Sequence, residues 1–241
     1  MVKQKNLRFP YAFLEGGEHY HLSRVLRARP GKRVWLIDEK GSRFLAEVRE
    51  LEREKTKLFI LEREEEKGTK IRISLAQAVI KSKKMDFLIQ KATELGIACF
   101  IPILASRSIV KLREEEKKVA RWQRIASEAA KQARRTSVPL VLRSQPFLSF
   151  LQSVQAERKL FLVEARGRLL REIITEGPMS QGLSDLPAVT ILVGPEGGWT
   201  DAEEKQAIDH GFEPMSLGNQ VLRSETAALA ALSLIAHFWN V

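Results

Sequence analysis

The chain has 241 residues, 44% hydrophobic and 29% charged, enough for one large domain or two modest ones with a real core. Forty lysines and arginines against thirty acids leave a net charge of +10 and a pI near 9.8, which favours polyanionic partners, nucleic acid before anionic membrane. The single cysteine, Cys99, excludes a disulfide framework and suits a reducing compartment, so the protein reads as cytoplasmic, with that thiol serving packing rather than chemistry.

The N-terminal "MVKQKNLRFPYAFLEGG" lacks the apolar centre of a signal peptide. A short helix is expected over "EHYHLSRVLR", residues 18–27. Next come "RVWLID", a turn at "EKG", "RFLAEVREL" and "TKLFILE", in which Val34, Leu36, Phe44, Ala46, Val48, Leu58 and Ile60 alternate with polar positions over parts of the runs. That period-two pattern belongs to half-buried strands, so residues 1–69 read as a small β-barrel or curled sheet. The charged run "EREEEKGTK" marks its end.

Strand-like and helical runs then alternate over residues 70–241. "IRISLAQAVI" is a strand; "KKMDFLIQKATELG" is a helix with Met85, Leu88, Ile89, Ala92 and Leu95 on one face and Gly96 at its C-cap. "ACFIPIL" is a strand, and residues 114–135 form a long helix with Val119, Trp122, Ala126, Ala129 and Ala133 on its stripe. "VPLVL", "KLFLVEA" and "AVTILVG" are strands. This order predicts an α/β domain with a largely parallel sheet. The longest mostly apolar stretch, Ala227 to Trp239, is too short to span a bilayer and carries His237.

Two glycine turns stand out. In "LVGPEGGWTDAEE" Gly194, Gly197 and Gly198 bare the backbone, and Thr200 with Glu203 forms a capping box that starts a helix near Asp201. Open N–H groups there suit a negative or electron-rich ligand at the carboxyl end of a strand, although a plain βα loop is the alternative. In "SLGNQVLRSETAALAAL" a short strand "EPMSL" leads to the turn pair Gly218-Asn219. Ser224 then caps a helix carrying Ala227, Ala228, Ala231, Leu232, Ile235 and Phe238, whose small residues permit close approach of another backbone, in the same domain or in a dimer. A Cβ at Gly197 or Gly218 is expected to collide with ligand or force an unfavourable φ.

The familiar signatures are missing. There is no P-loop, no G-x-G-x-x-G after a strand and no G-x-S-x-G elbow. His19, His21, His210 and His237 have no partners at zinc-ligand spacing, so no metal is expected. Basic clusters occur at Arg24, Arg27, Arg29, Lys32 and Arg33, at Lys81, Lys83 and Lys84, and at Lys131, Arg134 and Arg135. Each is either a solvated face or a phosphate-binding patch.

The two glycine motifs resemble the hallmark motifs of the RsmE-type 16S ribosomal RNA methyltransferases of the SPOUT superfamily. "RVLRARPGKRVWLID", "KSKKMDFLIQKATELGIACFIPILASRS" and "SEAAKQARRTSVP" resemble that family's other blocks, in order, over nearly the whole chain. "HYHL" departs from the adjacent histidines expected there. The resemblance implies a PUA-like β-barrel that binds RNA over residues 1–69 and a trefoil-knotted α/β methyltransferase domain over 70–241. It implies S-adenosylmethionine held by Val193, Gly194, Glu196, Gly197, Gly198, Ser216, Leu217, Gly218 and Leu222, and methyl transfer to N3 of a uridine in the small subunit's 16S ribosomal RNA. Arg223, Glu225 and Glu196 are the candidates for the chemistry; Glu225 could equally serve the helix dipole, and Arg223 could hold a phosphate. Arg24, Arg27, Lys32, Arg33, Lys83, Lys84, Arg134 and Arg135 become candidate RNA contacts, and a homodimer through the C-terminal helix is implied. The competing readings are a knotted methyltransferase acting on transfer RNA or a ribose 2′-oxygen, a non-catalytic ribosome-assembly factor, and a nucleotide enzyme using the turns for phosphate.

Overall fold

The computed structural model describes residues 2, 6–38, 42–64, 71–108, 114–164, 166–178 and 187–239. The turn expected at 39–41 and most of the charged run at 62–70 lie outside the described residues. The chain divides into two compact units, Met1–Gly68 and Thr69–Val241.

The first unit is an antiparallel sheet. Its elements are β1 (Leu7–Arg8), β2 (Tyr11–Glu15), α1 (Gly16–Tyr20), β3 (Arg33–Ile37), β4 (Arg43–Leu51) and β5 (Lys55–Glu64), with strand order β1-β2-β5-β4-β3. Alternation buries Ala12, Leu14, Leu36, Phe44, Ala46, Val48, Leu58 and Ile60 on the inner face. The helix expected over 18–27 begins earlier, at Gly16, and finishes as a π-helical turn over His21–Val25. Arg27, at φ 45°, lies beyond it in the left-handed region. Inside this helix the buried His19 has Nδ1 2.8 Å from Thr56 Oγ1 and Nε2 3.2 Å from Arg53 O, which makes it a packing residue.

The second unit contains β6 (Arg72–Ala78), α2 (Ser82–Glu94), β7 (Cys99–Leu104), α3 (Glu115–Gln132), β8 (Leu140–Val141), β9 (Gln145–Pro146) and α4 (Phe147–Ser153). It continues through β10 (Arg158–Leu162), β11 (Arg168–Leu169), α5 (Leu170–Glu176), β12 (Ala188–Val193), α6 (Asp201–Asp209), β13 (Glu213–Ser216) and α7 (Ser224–Trp239). Strand order is β11-β13-β10-β12-β6-β7-β8, with β9 also on β7, and every pairing is parallel. Central β12 is paired on both sides and buries Val189 to Val193 without alternation, as a parallel strand covered on both faces must.

Helices cover both faces of this sheet. Met85, Leu88 and Ile89 of α2, Trp122 and Ala126 of α3, Ile173 of α5 and Ala228, Leu232 and Ile235 of α7 form one core layer. Phe147 and Phe150 of α4, Ala207 of α6, Trp199 and Phe212 form the other. Gly96 follows the C-cap Leu95 of α2 at φ +99°, a conformation that glycine adopts without strain.

Three sequence expectations need correction. Ala133 lies past the end of α3 and is exposed; Ala130 is buried in its place. Phe238 is 58% exposed, whereas Trp239 is buried with its Nε1–H donating to Ile174 O at 3.0 Å, because the 3.6-residue period puts position 239, four after Ile235, on the inner stripe. Of "VPLVL" only Leu140–Val141 is strand.

Candidate active site

β12 ends at the buried Val193, and the chain turns sharply over Pro195–Gly198, closed by the Gly198 N–H donating to Pro195 O at 3.0 Å. Gly198 sits at φ +67°. Both halves of the capping box at Thr200 and Glu203 are present, so α6 starts at Asp201 as expected. Glu203 does more than cap. Its Oε2 accepts the Thr200 N–H at 2.9 Å, and its Oε1 accepts the Ser106 N–H at 2.8 Å from the loop after β7. Burial raises this carboxyl's pKa, but the N–H groups of Ser106 and Thr200 outweigh burial and hold it below the usual range. Its hold on the loop is therefore complete above the ordinary carboxylate range and is lost as pH falls through the lowered value.

The same loop reaches the glycine turn a second way. Arg107 Nη1 donates to Gly197 O at 3.1 Å and to Trp199 O at 2.9 Å. A Cβ at Gly197 would lie 3.3 Å from Arg107 Cβ, so the constraint there is close packing against Arg107 rather than a left-handed φ. At Gly218 the expectation of an unfavourable φ holds: it stands at +115°.

The second glycine segment is tied to the first by an arrangement the sequence did not reveal. Ser224 does not cap α7; it is the helix's first residue, and the carbonyl of Arg223 accepts the first helical bond from the Ala227 N–H at 2.8 Å. The Ser224 hydroxyl instead donates to Gly194 O at 2.5 Å and accepts from Gln77 Nε2 at 2.9 Å. Gln77, fully buried at the end of β6, also donates to Gly194 O at 3.2 Å and Ala78 O at 2.9 Å. One amide and one hydroxyl thus clamp both turns to the sheet. Behind the second turn the buried Ser216 donates to Glu164 O at 3.1 Å and accepts the Gly218 N–H at 3.2 Å.

These segments enclose a cleft of about 600 Å³ at the carboxyl ends of β10 and β12, where open parallel sheets bind ligands. Among the expected cofactor residues, Val193, Gly194, Glu196, Gly197, Gly198, Leu217 and Leu222 line it. Ser216 and Gly218 do not; they brace the wall from behind. Arg223 lines it too. Glu164, Arg166, Arg107 and Trp199 also face it and were not anticipated, although each follows a strand's carboxyl end.

Glu225 stands beside the cleft in an ion-paired group. Lys84 Nζ is 3.1 Å from Glu196 Oε1 and 3.2 Å from Glu225 Oε1, and those hydrogen bonds, Glu196 first, raise the lysine's pKa. Glu225 Oε2 is buried without a partner. Lys84, expected among the phosphate ligands, is therefore already matched by two carboxylates. Arg135 is similarly engaged: Nη1 donates to Thr93 O at 2.9 Å at the end of α2, and burial lowers its pKa. Lys83 and Arg134 are exposed, as are Arg24, Arg27, Lys32 and Arg33 in the first unit. The Cys99 thiol is pushed up to about 11 by burial, which leaves it protonated and inert at neutral pH. Among the described residues no cluster of His, Cys, Asp or Glu could hold a metal ion, and no helix is long and apolar enough to cross a membrane.

The sequence matches the pattern of the RNA methyltransferase domain over residues 66–236 and of the RNA methyltransferase PUA domain over 15–61. Ribosomal RNA small subunit methyltransferase E of Bacillus subtilis (strain 168) is 32% identical over 240 residues, 98% of this chain and 94% of that one. Its namesake in Synechocystis is 35% identical, over 90% of this chain and 69% of that one. Among solved structures, ribosomal RNA small subunit methyltransferase E from Neisseria gonorrhoeae bound to S-adenosyl methionine superposes with a TM-score of 0.78 at 32% identity, covering 99% of this chain and 98% of that one. A putative methyltransferase from Legionella pneumophila in complex with SAM gives 0.77 at 30% identity, covering 98% and 96%. With the parallel sheet, the glycine-lined cleft and the antiparallel N-terminal unit already in place, the chain belongs to the ribosomal RNA small subunit methyltransferase E family, an RNA methyltransferase domain preceded by a PUA domain.

Proposed function

We propose that the protein transfers the methyl group of S-adenosylmethionine to N3 of one uridine in the 16S ribosomal RNA of the small subunit, in the cytoplasm. In this reading residues 1–69 hold RNA and residues 70–241 form the knotted catalytic domain. The observation that carries it is the cleft shared by both glycine segments. Its volume falls within the range of roughly 300–1,000 Å³ usual for small-molecule sites. Bare backbone at Gly194, Gly197 and Gly198, with apolar Leu162, Leu217 and Leu222 beside it, fits an adenine that needs both backbone hydrogen bonds and an apolar wall. Bound S-adenosylmethionine supplies an electrophilic methyl group on a sulfonium.

The chain's own residues must deal with the N3 proton. N3–H is weakly acidic, and nitrogen attacks only as that proton leaves. Glu196, in the cleft wall, accepts it, and Lys84 ion-pairs with both Glu196 and Glu225 and so fixes where the Glu196 carboxylate stands. Arg223 steadies the uracil anion, its backbone fixed as the first hydrogen-bond acceptor of α7. Incubation with unmethylated small subunits followed by mass mapping of nucleotides should find N3-methyluridine at one position. Methyl groups on a ribose oxygen or on transfer RNA, or none, would replace this reading with one of its competitors.

RNA is held electrostatically by the exposed stretch from Arg24 to Arg33. Reversing Arg27, Lys32 and Arg33 to Glu should leave cofactor affinity intact and weaken RNA binding. The slope of log K against log salt should shrink by about one for each phosphate that is no longer neutralised. An unchanged affinity and slope would remove this stretch from the RNA surface.

The protein also pairs through α7. Leu234 and Phe238 are 41% and 58% exposed on that helix, and Phe87 of α2 is 47% exposed. Sedimentation at micromolar concentration should show a homodimer, and Leu234→Arg with Phe238→Arg should yield folded monomers. Ala231 is a poor probe of the same point, since it is fully buried and an arginine there unfolds the domain. A wild-type monomer would count against the pairing.

A further inference from the structure

The outer face of the first unit's sheet carries an unusual population. Tyr11 and Phe13 on β2, Trp35 on β3 and Phe59 on β5 all point away from the core, because their strand neighbours Ala12, Leu14, Leu36, Leu58 and Ile60 point into it. Tyr11 pairs with Phe59 across β2 and β5, their rings edge to face at 5.5 Å. Each of the four rings carries a cation. Arg43 lies 4.9 Å from the centre of Trp35, Arg49 5.3 Å from Phe59, Lys57 4.9 Å from Tyr11 and Lys55 4.3 Å from Phe13. Two of these cations are themselves anchored, Arg49 by Glu47 and Lys57 by Glu50, each at 3.0 Å.

Cross-strand packing alone would cover such rings. Here Trp35 remains 42% exposed and Tyr11 36% exposed, and Phe9, before β2, is 68% exposed. Aromatic rings that stay open to water among positive charges fit one class of partner. Unpaired nucleobases stack on aromatic rings and on guanidinium planes, while their phosphates meet the neighbouring cations. Duplex RNA does not fit, since its bases are already stacked inside the helix.

The proposed chemistry asks for the same partner. N3–H of uridine is the Watson–Crick donor, so a uridine methylated at N3 must be unpaired when it reacts. We propose that the outer face of the β1-β2-β5-β4-β3 sheet, through Tyr11, Trp35 and Phe59, is a stacking platform for unpaired bases of the substrate RNA. This rests on the reading of the protein as an RNA methyltransferase acting at uridine N3. It adds an interaction distinct from the basic stretch at residues 24–33, because stacking is not ionic.

Fluorescence tests it directly. Trp122, Trp199 and Trp239 are buried, and since Trp199 lines the cleft, the Trp35→Ala protein titrated in parallel isolates the signal of Trp35. Titrating the full-length protein with a single-stranded oligouridine should quench its emission, whereas an RNA duplex of equal phosphate number should leave it nearly unchanged. Tyr11→Ala and Trp35→Ala, followed by anisotropy of a labelled oligouridine, should each weaken binding about tenfold with no change in salt slope. Both side chains are exposed, so the variants should keep the wild-type circular dichroism and S-adenosylmethionine affinity. Equal quenching by duplex and single strand, or variants with wild-type oligouridine affinity, would overturn the platform. The methyl-mapping experiment is independent of this outcome: N3-methyluridine formed without stacking overturns only the platform, and stacking without N3-methyluridine overturns the activity and the argument from its chemistry.

Discussion

Gly194→Ala is expected to lower S-adenosylmethionine affinity at least tenfold by calorimetry, about 1.4 kcal/mol, and to lower the thermal midpoint as well. A Cβ built on Gly194 comes within 2.9 Å of Trp199 Nε1 and 3.0 Å of Cε2. The indole is held by its neighbours. It is buried between Phe147 and Phe161, with ring centres at 5.1 and 5.3 Å, and its Nε1–H donates to Leu162 O at 3.2 Å. Overpacking of a filled core costs roughly 1–3 kcal/mol, and here the strain falls on Leu162 and Trp199, both in the cleft wall. Gly197→Ala is the matched comparison. Its Cβ meets only Arg107, on a loop that can yield by a few tenths of an ångström, so its effect should be smaller. Wild-type affinity in a folded Gly194→Ala protein would remove the first turn from the cofactor site.

Arg223→Ala should reduce the single-turnover rate about 100-fold at saturating RNA while cofactor affinity stays within about twofold of wild type. A cation that steadies the uracil anion acts in the transition state, and loss of one such group costs on the order of 10²–10³ in rate. The pH profile separates this role from phosphate binding. Without the cation, deprotonation of N3 requires a higher pH, so the rising limb of the rate moves up in the variant and returns partway in Arg223→Lys. If instead the rate at saturation is unchanged and RNA affinity falls with a shallower salt slope, Arg223 is a phosphate ligand.

The parts of the structure legible in the sequence are those set by neighbours a few residues away. The strands β3 to β5 follow from alternation over parts of their length, α2 from its apolar stripe, and the start of α6 from Thr200 and Glu203. The misread positions depend on distant partners. Ser224 has the residue type of an N-cap, but its hydroxyl is taken by Gly194 and Gln77, 30 and 147 residues away in sequence. Lys84 sits in a run of lysines that reads as a phosphate patch until Glu196 and Glu225 arrive beside it. Arg107 reaches its two carbonyl partners across about 90 positions. The short strands β1 and β8 exist only because a neighbouring strand completes their hydrogen bonds, which a two-residue pattern cannot announce.

The hydrogen bond from Ser224 to Gly194, with Gln77 bonded to both, also sets an order of events during synthesis. The cleft needs residues 77, 107, 194 and 224, so a growing chain that has not reached residue 224 has the sheet and the first glycine turn without the clamp that holds them around a ligand. A ligand stabilises a fold only through the form it binds. S-adenosylmethionine therefore cannot assist the nascent chain while its early strands pair, and the core that runs from Ile71 to Trp239 must close, with α7 made and docked, before the cofactor adds to its stability.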